Sequence, residues 1–477
     1  MKKILLGLAP TRRFCFSVED AHKFKKLVEE KLRGWNIEFV NIDDVTKEGL
    51  LISQEDASAA IELFKNKGVD AVFCPHVNFG TEEVVARVCK EVNKPVLIWG
   101  PRDENPLESG IRLRDSQCGL FATTHVLKKY GVPYTYIINS RVDSQVFRRG
   151  VMTFMSAVKV AKAFVGCKIG QIGTRPYNFY TVMINEQELY GKFGIEIIPM
   201  TALAFYQKVK ECLKSDERIE KEAALLKDKI RLCGKADSES LKRVVAFKLV
   251  MQDFAAEHGL SAIAFKCHDD IADALETYCC YANGLLGDIG IPVACETDIH
   301  GALSMVLLQN AVCDDSSVFI ADLTQRHPTN NNAELLWHCG NFPPSLCKND
   351  VEPFLDGHCN VLPGHPGTAN FEIKGGDLTV ARFDGMDGDF TLLMGQGKGV
   401  DGPSNLGTYI WMEVPNWPLW EEKLMNGNYI HHVVGVHGHY SAALYEATKY
   451  IPGLKADPAQ PTEQEIRAYL RGDDLDE

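Results

Sequence analysis

The feature that most constrains this chain is the regular alternation of short apolar runs with amphipathic stretches across its first third. Lys3–Ala9, Ile37–Ile42, Ala71–Pro75, Pro95–Trp99 and Tyr134–Asn139 read as strands. Glu19–Arg33, Glu55–Lys67, Glu82–Val92 and Leu120–Tyr130 read as helices. Strands separated by helices of about 10–15 residues predict a doubly wound parallel sheet. The first strand runs into Leu8-Ala9-Pro10-Thr11-Arg12-Arg13 instead of a Gly-x-Gly-x-x-Gly turn, so no dinucleotide site is expected there.

A long helical stretch, Ser144–Phe164, opens a second round. Strands are expected at Lys168–Ile172 and Gly194–Pro199. Two charged helices (Ala204–Lys214 and Glu217–Leu232) and the helix Leu241–Glu257 follow. Ala262–Lys266, Pro292–Cys295, Val318–Ala321 and Glu334–Trp337 then read as successive parallel strands, with helices at Ile271–Ala282 and Ile299–Ala311 between them. After about residue 340 helical periodicity fades. Gly, Pro and Asp punctuate short alternating segments at Asn370–Lys374, Leu378–Phe383, Asp389–Gln396, Tyr409–Val414 and Tyr429–Val436. The expected fold class is therefore α/β: two doubly wound domains (1–165 and 166–340) followed by an antiparallel, barrel-like β domain (341–477). A last helix, Ser441–Tyr450, and an acidic tail, Glu463–Glu477, belong to the third.

Composition excludes several functions. A net charge of −13 disfavours nucleic acid and anionic membrane surfaces as partners. No stretch approaches the roughly 20 apolar residues of a spanning helix, and the short run at Ile4–Leu8 reads as a buried strand, so a cytoplasmic protein is expected. The 15 cysteines are scattered, mostly within apolar segments, with no Cys-x-x-Cys pair, which predicts reduced thiols serving as small core side chains.

In open α/β sheets ligands sit beyond the carboxyl ends of the strands. There the central segment presents Glu296 after Pro292–Cys295, Asp322 after Val318–Ala321, and His338 after Glu334–Trp337. Carboxylates crowded at one edge repel each other, and a divalent cation removes the conflict. An oxygen-rich set with one nitrogen suits Mn²⁺ or Mg²⁺. Singly, each has a plain alternative: Asp322 as a helix cap, Glu296 as a surface charge, His338 as a satisfied polar group beside Trp337. His431-His432-Val433-Val434-Gly435-Val436-His437-Gly438-His439 places four histidines in nine residues, one of which could complete a metal site. Period-two alternation puts His432 on the face opposite His431, His437 and His439. Lys266, at another strand end, reads as a contact to a ligand hydroxyl or as a surface lysine. Trp417, between Asn416 and Pro418 in an expected turn, is the best of Trp411, Trp417 and Trp420 for a pocket wall. Arg12 reads as a substrate contact of a neighbouring subunit or as part of a solvated loop.

Taken together, Ala294-Cys295-Glu296-Thr297-Asp298-Ile299-His300-Gly301-Ala302-Leu303, Ala321-Asp322, and His431-His432 followed by Gly438-His439 resemble the L-fucose isomerase group, which includes D-arabinose isomerases. L-Arabinose isomerases are similar more distantly. Asn78-Phe79-Gly80-Thr81-Glu82 is similar to a turn of that group's first domain, and Ile98-Trp99-Gly100 to the segment after its fourth strand. The resemblance implies a metal-dependent aldose–ketose isomerase, usually with Mn²⁺ (Mg²⁺ or Co²⁺ as variants). It implies Glu296, Asp322 and His432 as ligands, with Glu296 and Asp322 also the acid/base pair of a cis-enediol mechanism. It also implies Asn78, His338, Trp417 and His431 near the substrate and a homo-oligomer, most often a hexamer. The substrate expected is an unphosphorylated pentose or 6-deoxyhexose. A C6-modified aldose is the alternative, since the reaction needs only C1 and C2, and a non-catalytic sugar-binding or regulatory protein is the competing class.

Overall fold

The computed structural model describes residues 3–268, 270–312, 316–360 and 364–475. They pack as two compact units. The first comprises the chain to Lys162 with Tyr445–Tyr450 and the segment from Gln464, the second Ala163–Leu444 with Ile451–Glu463.

In the first unit β1 (Leu5–Leu8), β2 (Glu38–Val40), β3 (Ala71–Pro75), β4 (Val96–Trp99) and β5 (Thr135–Tyr136) form a parallel sheet ordered β2-β1-β3-β4-β5. The inner strands β1, β3 and β4 are buried on both faces, which is why they read as continuous apolar runs. Val72, Cys74, Val96 and Ile98 pack under the helices Gln54–Lys67 and Glu82–Val92. Leu6, Leu8, Phe73, Leu97 and Trp99 face Val28, Leu32, Phe147 and Phe154. The doubly wound sheet expected for this segment is present. The segment expected as an acidic tail instead starts with the helix Glu463–Arg471, and beyond it Asp474 takes the Arg149 guanidinium at 2.6 Å.

In the second unit β6 (Lys168–Ile172), β7 (Glu196–Met200), β8 (Arg231–Leu232), β9 (Ala262–Phe265) and β10 (Val293–Ala294) precede the β-rich part. Of these, β10-β9-β6-β7 form a parallel sheet and β8 joins the third sheet. Then come β11 (Phe319–Arg326), β12 (Ala333–His338), β13 (Phe354–Gly357), β14 (Pro366–Glu372), β15 (Gly376–Met386), β16 (Asp389–Val400), β17 (Thr408–Glu413), β18 (His432–His437) and β19 (Leu454–Pro458). Six of them close into an antiparallel barrel in the order β16-β15-β18-β11-β12-β17 and back to β16. The β15–β16 hairpin turns on Asp387-Gly388, both at positive φ (53° and 79°), the geometry two-residue hairpin loops favour.

Two expectations are corrected here. Val318–Ala321 and Glu334–Trp337 are not parallel strands of the central sheet; they belong to β11 and β12, antiparallel neighbours in the barrel wall. The physical reason lies in the connection. Only His327–Asn332 separates them, and a parallel crossover needs about a dozen residues or more. Likewise Trp417 is not in a turn. Asn416 caps the helix Trp417–Asn426 by accepting from Leu419 N, with Pro418 in its first turn.

Trp417, Leu323, Glu421, Leu424 and Met425 line a cavity of about 410 Å³ that also takes in Glu334 and His431. Glu334 is only 5% exposed, and its Oε2 has no hydrogen-bond partner among the described residues. Burial, reinforced by Glu421 and opposed by Arg326, pushes its carboxyl up to about 7. The folded state thus holds the proton more tightly than the unfolded chain. Stability is full below the ordinary carboxylate range and falls as pH rises through about 7. Replacing Glu334 by Gln is expected to remove a loss on the order of 2 kcal/mol between acid and neutral pH, read as a flatter fall in melting temperature across that range.

Candidate active site

Strand ends and barrel register together build the site in the second unit. β9 and β10 run parallel, with Ala264 beside Ala294, so Cys267-His268 and Glu296 leave the sheet side by side. From the barrel wall, β11 and β18 pair antiparallel with Asp322 directly opposite His432. Directly opposed residues share a face, so this register brings a carboxylate and an imidazole together across 110 positions of chain.

The backbone at Glu296 is strained. Glu296 and Thr297 both lie in the left-handed region, at φ +62° and +57°, an unfavourable place for a β-branched residue. The turn is held by Thr297 N donating to Phe265 O at 3.1 Å and Thr297 Oγ1 donating to Thr174 O at 3.3 Å. Asp298 ends the turn and caps the helix Ile299–Ala311, accepting from Gly301 N at 2.8 Å.

Asp298 is also the centre of a buried charge network. His432 Nδ1 donates to its Oδ2 at 2.8 Å, and Arg382 clamps it with both terminal nitrogens, one of them at 3.1 Å. Arg382 Nε reaches Asp384 Oδ2 at 3.0 Å, and Asp384 Oδ1 meets His300 Nδ1 at 3.0 Å. Burial pushes the Asp298 carboxyl up, but the Arg382 charge and His432 outweigh it and hold it well below the usual range. Burial likewise opposes the Glu296 charge, and His268 and His432 overcome it.

With Nδ1 engaged by Asp298, His432 turns Nε2 toward Glu296 Oε2 at 3.1 Å and Asp322 Oδ1 at 3.4 Å. All three atoms are buried and lack a hydrogen-bond partner among the described residues. Without a cation, burial lowers the His432 pKa, but Asp298 and then Glu296 and Asp322 raise it to about 10. Two carboxylate oxygens and one imidazole nitrogen, convergent and otherwise unsatisfied, fit a divalent cation of the Mn²⁺ or Mg²⁺ kind. The Asp298–His432 pair is the carboxylate–histidine arrangement that orients such ligands.

His338 is fully buried. Cys339 N donates to its Nδ1 at 2.9 Å, so the neutral ring carries its proton on Nε2, which has no acceptor among the described residues. Its ring centre lies 6.4 Å from that of His432. His431 packs edge-on to His432 at 4.3 Å and, with Asp322, falls within a group of possible ligands. The rest of the histidine run diverges: His437 bonds Lys374 O at 2.8 Å and His439 faces Asp377 at 3.8 Å. Lys266 stands at the end of β9, paired with Asp270 at 2.9 Å, its stem against Gly173. Trp417 lines the barrel cavity beside His431. Arg12 and Asn78 belong to the first unit. There Arg12 Nε binds Glu48 at 2.8 Å and Asn78 Oδ1 accepts from Arg13 N at 2.8 Å, where the loops after β1 and β3 meet.

Sequence reading passed over His268, His358, Arg382 and Asp384. His268 Nε2 is 3.4 Å from Glu296 Oε1, and its ring neighbours His358 at 6.1 Å and Phe179 at 6.3 Å. Burial pushes His358 down to about 4, so it stays neutral beside these groups. His268 carried a signal, a histidine two residues beyond Lys266 at the same strand end. Arg382-x-Asp384 carried the period of one strand face.

Comparison with known proteins gives matches at both ends of the chain. Residues 7–165 match the fucose/sulfoquinovose isomerase N-terminal domain, and residues 336–453 match the L-fucose isomerase C-terminal domain. A sulfoquinovose isomerase of Alkalicoccus urumqiensis is 27% identical over 397 residues, 83% of this chain and 85% of that protein. Those of Priestia aryabhattai and Priestia megaterium are each 25% identical over 402 residues, 84% of this chain and 86% of theirs. A periplasmic solute-binding protein of Actinobacillus succinogenes with bound D-allose covers 65% of this chain and 92% of its own. Its TM-score of 0.17 and 13% identity carry no argument. No helix among the described residues is long and apolar enough to cross a membrane.

Breaking the network should separate stability from cation binding. Arg382→Met is expected to destabilise the protein by about 3–5 kcal/mol in denaturant unfolding, because it leaves Asp298 charged, buried and unclamped. Asp298→Asn is expected to weaken Mn²⁺ binding about 10–100-fold by calorimetry, because it loosens the His432 ring.

Proposed function

The chain belongs to the fucose/sulfoquinovose isomerase family, and from that premise we propose that it is a metal-dependent aldose–ketose isomerase acting on an aldose modified at C6, with a sulfonate as the modifying group. As a family member it is a sugar isomerase. The convergence of Glu296 Oε2, Asp322 Oδ1 and His432 Nε2 carries the metal-dependent part of this reading. The C6 sulfonate is supported by the relatives named sulfoquinovose isomerase, which align over more than four fifths of the chain. This follows the alternative weighed from the sequence over the pentose or 6-deoxyhexose. A homo-oligomer remains part of the proposal, as the family resemblance implies.

Glu296, Asp322 and His432 would hold the cation, which when bound supplies Lewis acidity toward a sugar carbonyl and its neighbouring hydroxyl. The chain's own groups perform the proton transfers. One carboxylate of the Glu296/Asp322 pair takes the proton from C2 of the open-chain aldose as the C1 carbonyl becomes an enol. The same carboxylate returns it to C1, while the O2 proton passes to O1. One C–H bond breaks at C2 and one forms at C1, one O–H bond breaks at O2 and one forms at O1, so the step balances with no external reductant, and the intermediate is a cis-enediol. The His338 Nε2–H, fixed in its tautomer by Cys339 N, is a preorganised donor toward negative charge developing on oxygen. Burial of Glu296, His432 and His338 limits water that would quench the enediol.

The test uses chelator-stripped protein resupplied with Mn²⁺ and offered sulfoquinovose, its 6-deoxy analogue without the sulfonate, L-fucose and D-arabinose. We expect Mn²⁺-restored ketose formation, fastest by kcat/KM on the sulfonated sugar, with solvent deuterium entering at C1 of the ketose product or at C2 of recovered aldose. Glu296→Gln should lower kcat by at least about 10³-fold. Turnover confined to the uncharged sugars would refute the sulfonate, and undiminished turnover after metal removal would refute the metal.

A further inference from the structure

Glu296 has two carboxylate oxygens, and only Oε2 faces His432 and Asp322. Its Oε1 lies 3.4 Å from His268 Nε2. The preceding residue, Cys267, points its thiol to the same place: ligand atoms of Cys267, His268 and Glu296 all lie within 4.8 Å of one another. The arrangement follows from the sheet. Cys267 and His268 are successive residues leaving β9, Glu296 leaves β10, and parallel pairing of these strands sets the two exits side by side. Cys267 is 4% exposed and Glu296 6%, so the group is shielded from solvent.

The donors are a thiol sulfur, an imidazole nitrogen and a carboxylate oxygen. This is not the oxygen-rich set of the neighbouring site. Thiolate with imidazole selects Zn²⁺ and softer d¹⁰ cations, and three protein donors are enough for a tetrahedral ion that keeps one outside ligand. The surroundings suit sulfur. Cys295 lies beside the group, its Sγ accepting from Asn283 Nδ2 at 3.4 Å and Asn341 Nδ2 at 3.1 Å.

We propose that Cys267, His268 and Glu296 form a second, thiophilic cation site, which takes Zn²⁺ or its analogue Cd²⁺ and shares Glu296 with the Glu296–Asp322–His432 site. On binding, the Cys267 S–H proton is released to solvent and a sulfur–metal bond replaces it. Drawing on the second oxygen of Glu296, the soft cation competes for the carboxylate that the other site needs, and by the order of ligand affinities it does so at concentrations where Mn²⁺ binds weakly. The site does not depend on which sugar the enzyme takes.

The test uses full-length protein preloaded with Mn²⁺ and titrated with Cd²⁺, following the ultraviolet thiolate-to-cadmium charge-transfer band and the ¹¹³Cd resonance. The parent protein is expected to bind one Cd²⁺ with one thiolate ligand. Cys267→Ser should abolish the band while circular dichroism and melting temperature report an intact fold. His268→Gln should keep the band with affinity reduced at least about tenfold. Cys295→Ser should leave the band in place. Cd²⁺ bound by the parent without thiolate character, or a band that survives Cys267→Ser, would overturn the site.

Discussion

The hydrogen bond from His432 Nδ1 to Asp298 Oδ2 is the constraint on which the rest of the site depends. One carboxylate does three tasks there: it caps the helix Ile299–Ala311, fixes the imidazole of the barrel strand β18, and neutralises Arg382. Each task alone is commonplace. Together they tie the start of a helix to the barrel wall through groups that are almost fully buried. Such a network is costly unless every member is satisfied. Here Asp298 accepts from Gly301, His432 and Arg382, and Arg382 passes its remaining capacity to Asp384. Among the described residues, Glu296 Oε2, Asp322 Oδ1 and His432 Nε2 are left without a hydrogen-bond partner where they converge and a cation fits, and His300 Nε2 is unpartnered at the far end of the network.

The same economy explains the strained turn at Glu296-Thr297. Two successive left-handed residues without glycine are unfavourable by a few kcal/mol, and this turn sets the Glu296 carboxylate between His432 and His268. Asp298 on the far side and Thr297 N on Phe265 O leave the turn little freedom. Packing and capping stabilise the turn, and the return is a carboxylate aimed at His432 with one oxygen and at His268 with the other.

How legible this was in the sequence differed by residue. Glu296 followed from a strand end, and the first unit's sheet from apolar runs at regular spacing. Asp322 was identified for a partly mistaken reason. It stood at the end of an apolar run, but that run is a barrel strand, and its connection through Pro328 and three asparagines was already too short for a parallel crossover. His432 was distinguishable from its neighbours only by alternation and resemblance; its place opposite Asp322 is a matter of register, which no local pattern encodes. Arg382 and Asp298 meet across 84 residues, so their ion pair leaves no mark in either neighbourhood. The helix at Trp417 was masked by Asn-Trp-Pro, which reads as a turn although Asn before a first-turn Pro is also a helix start.

The two family-matched segments, 7–165 and 336–453, leave out the stretch that carries both Glu296 and Asp322. The matched C-terminal segment contributes His432, His338 and Arg382, and in the proposed mechanism the two carboxylates come from outside it. Within the second unit, what joins the unmatched stretch to the matched C-terminal segment is physical. Register sets Asp322 against His432, and the Asp298 network draws Glu296 to the same point. A chain in this family that kept the matched segments but lost Asp298 would keep its fold signature and still misplace the imidazole. This division also fits divergence in substrate. On the proposed reading isomerisation engages C1 and C2 alone, and the residues that would handle those carbons are bound to one another by register and buried charge.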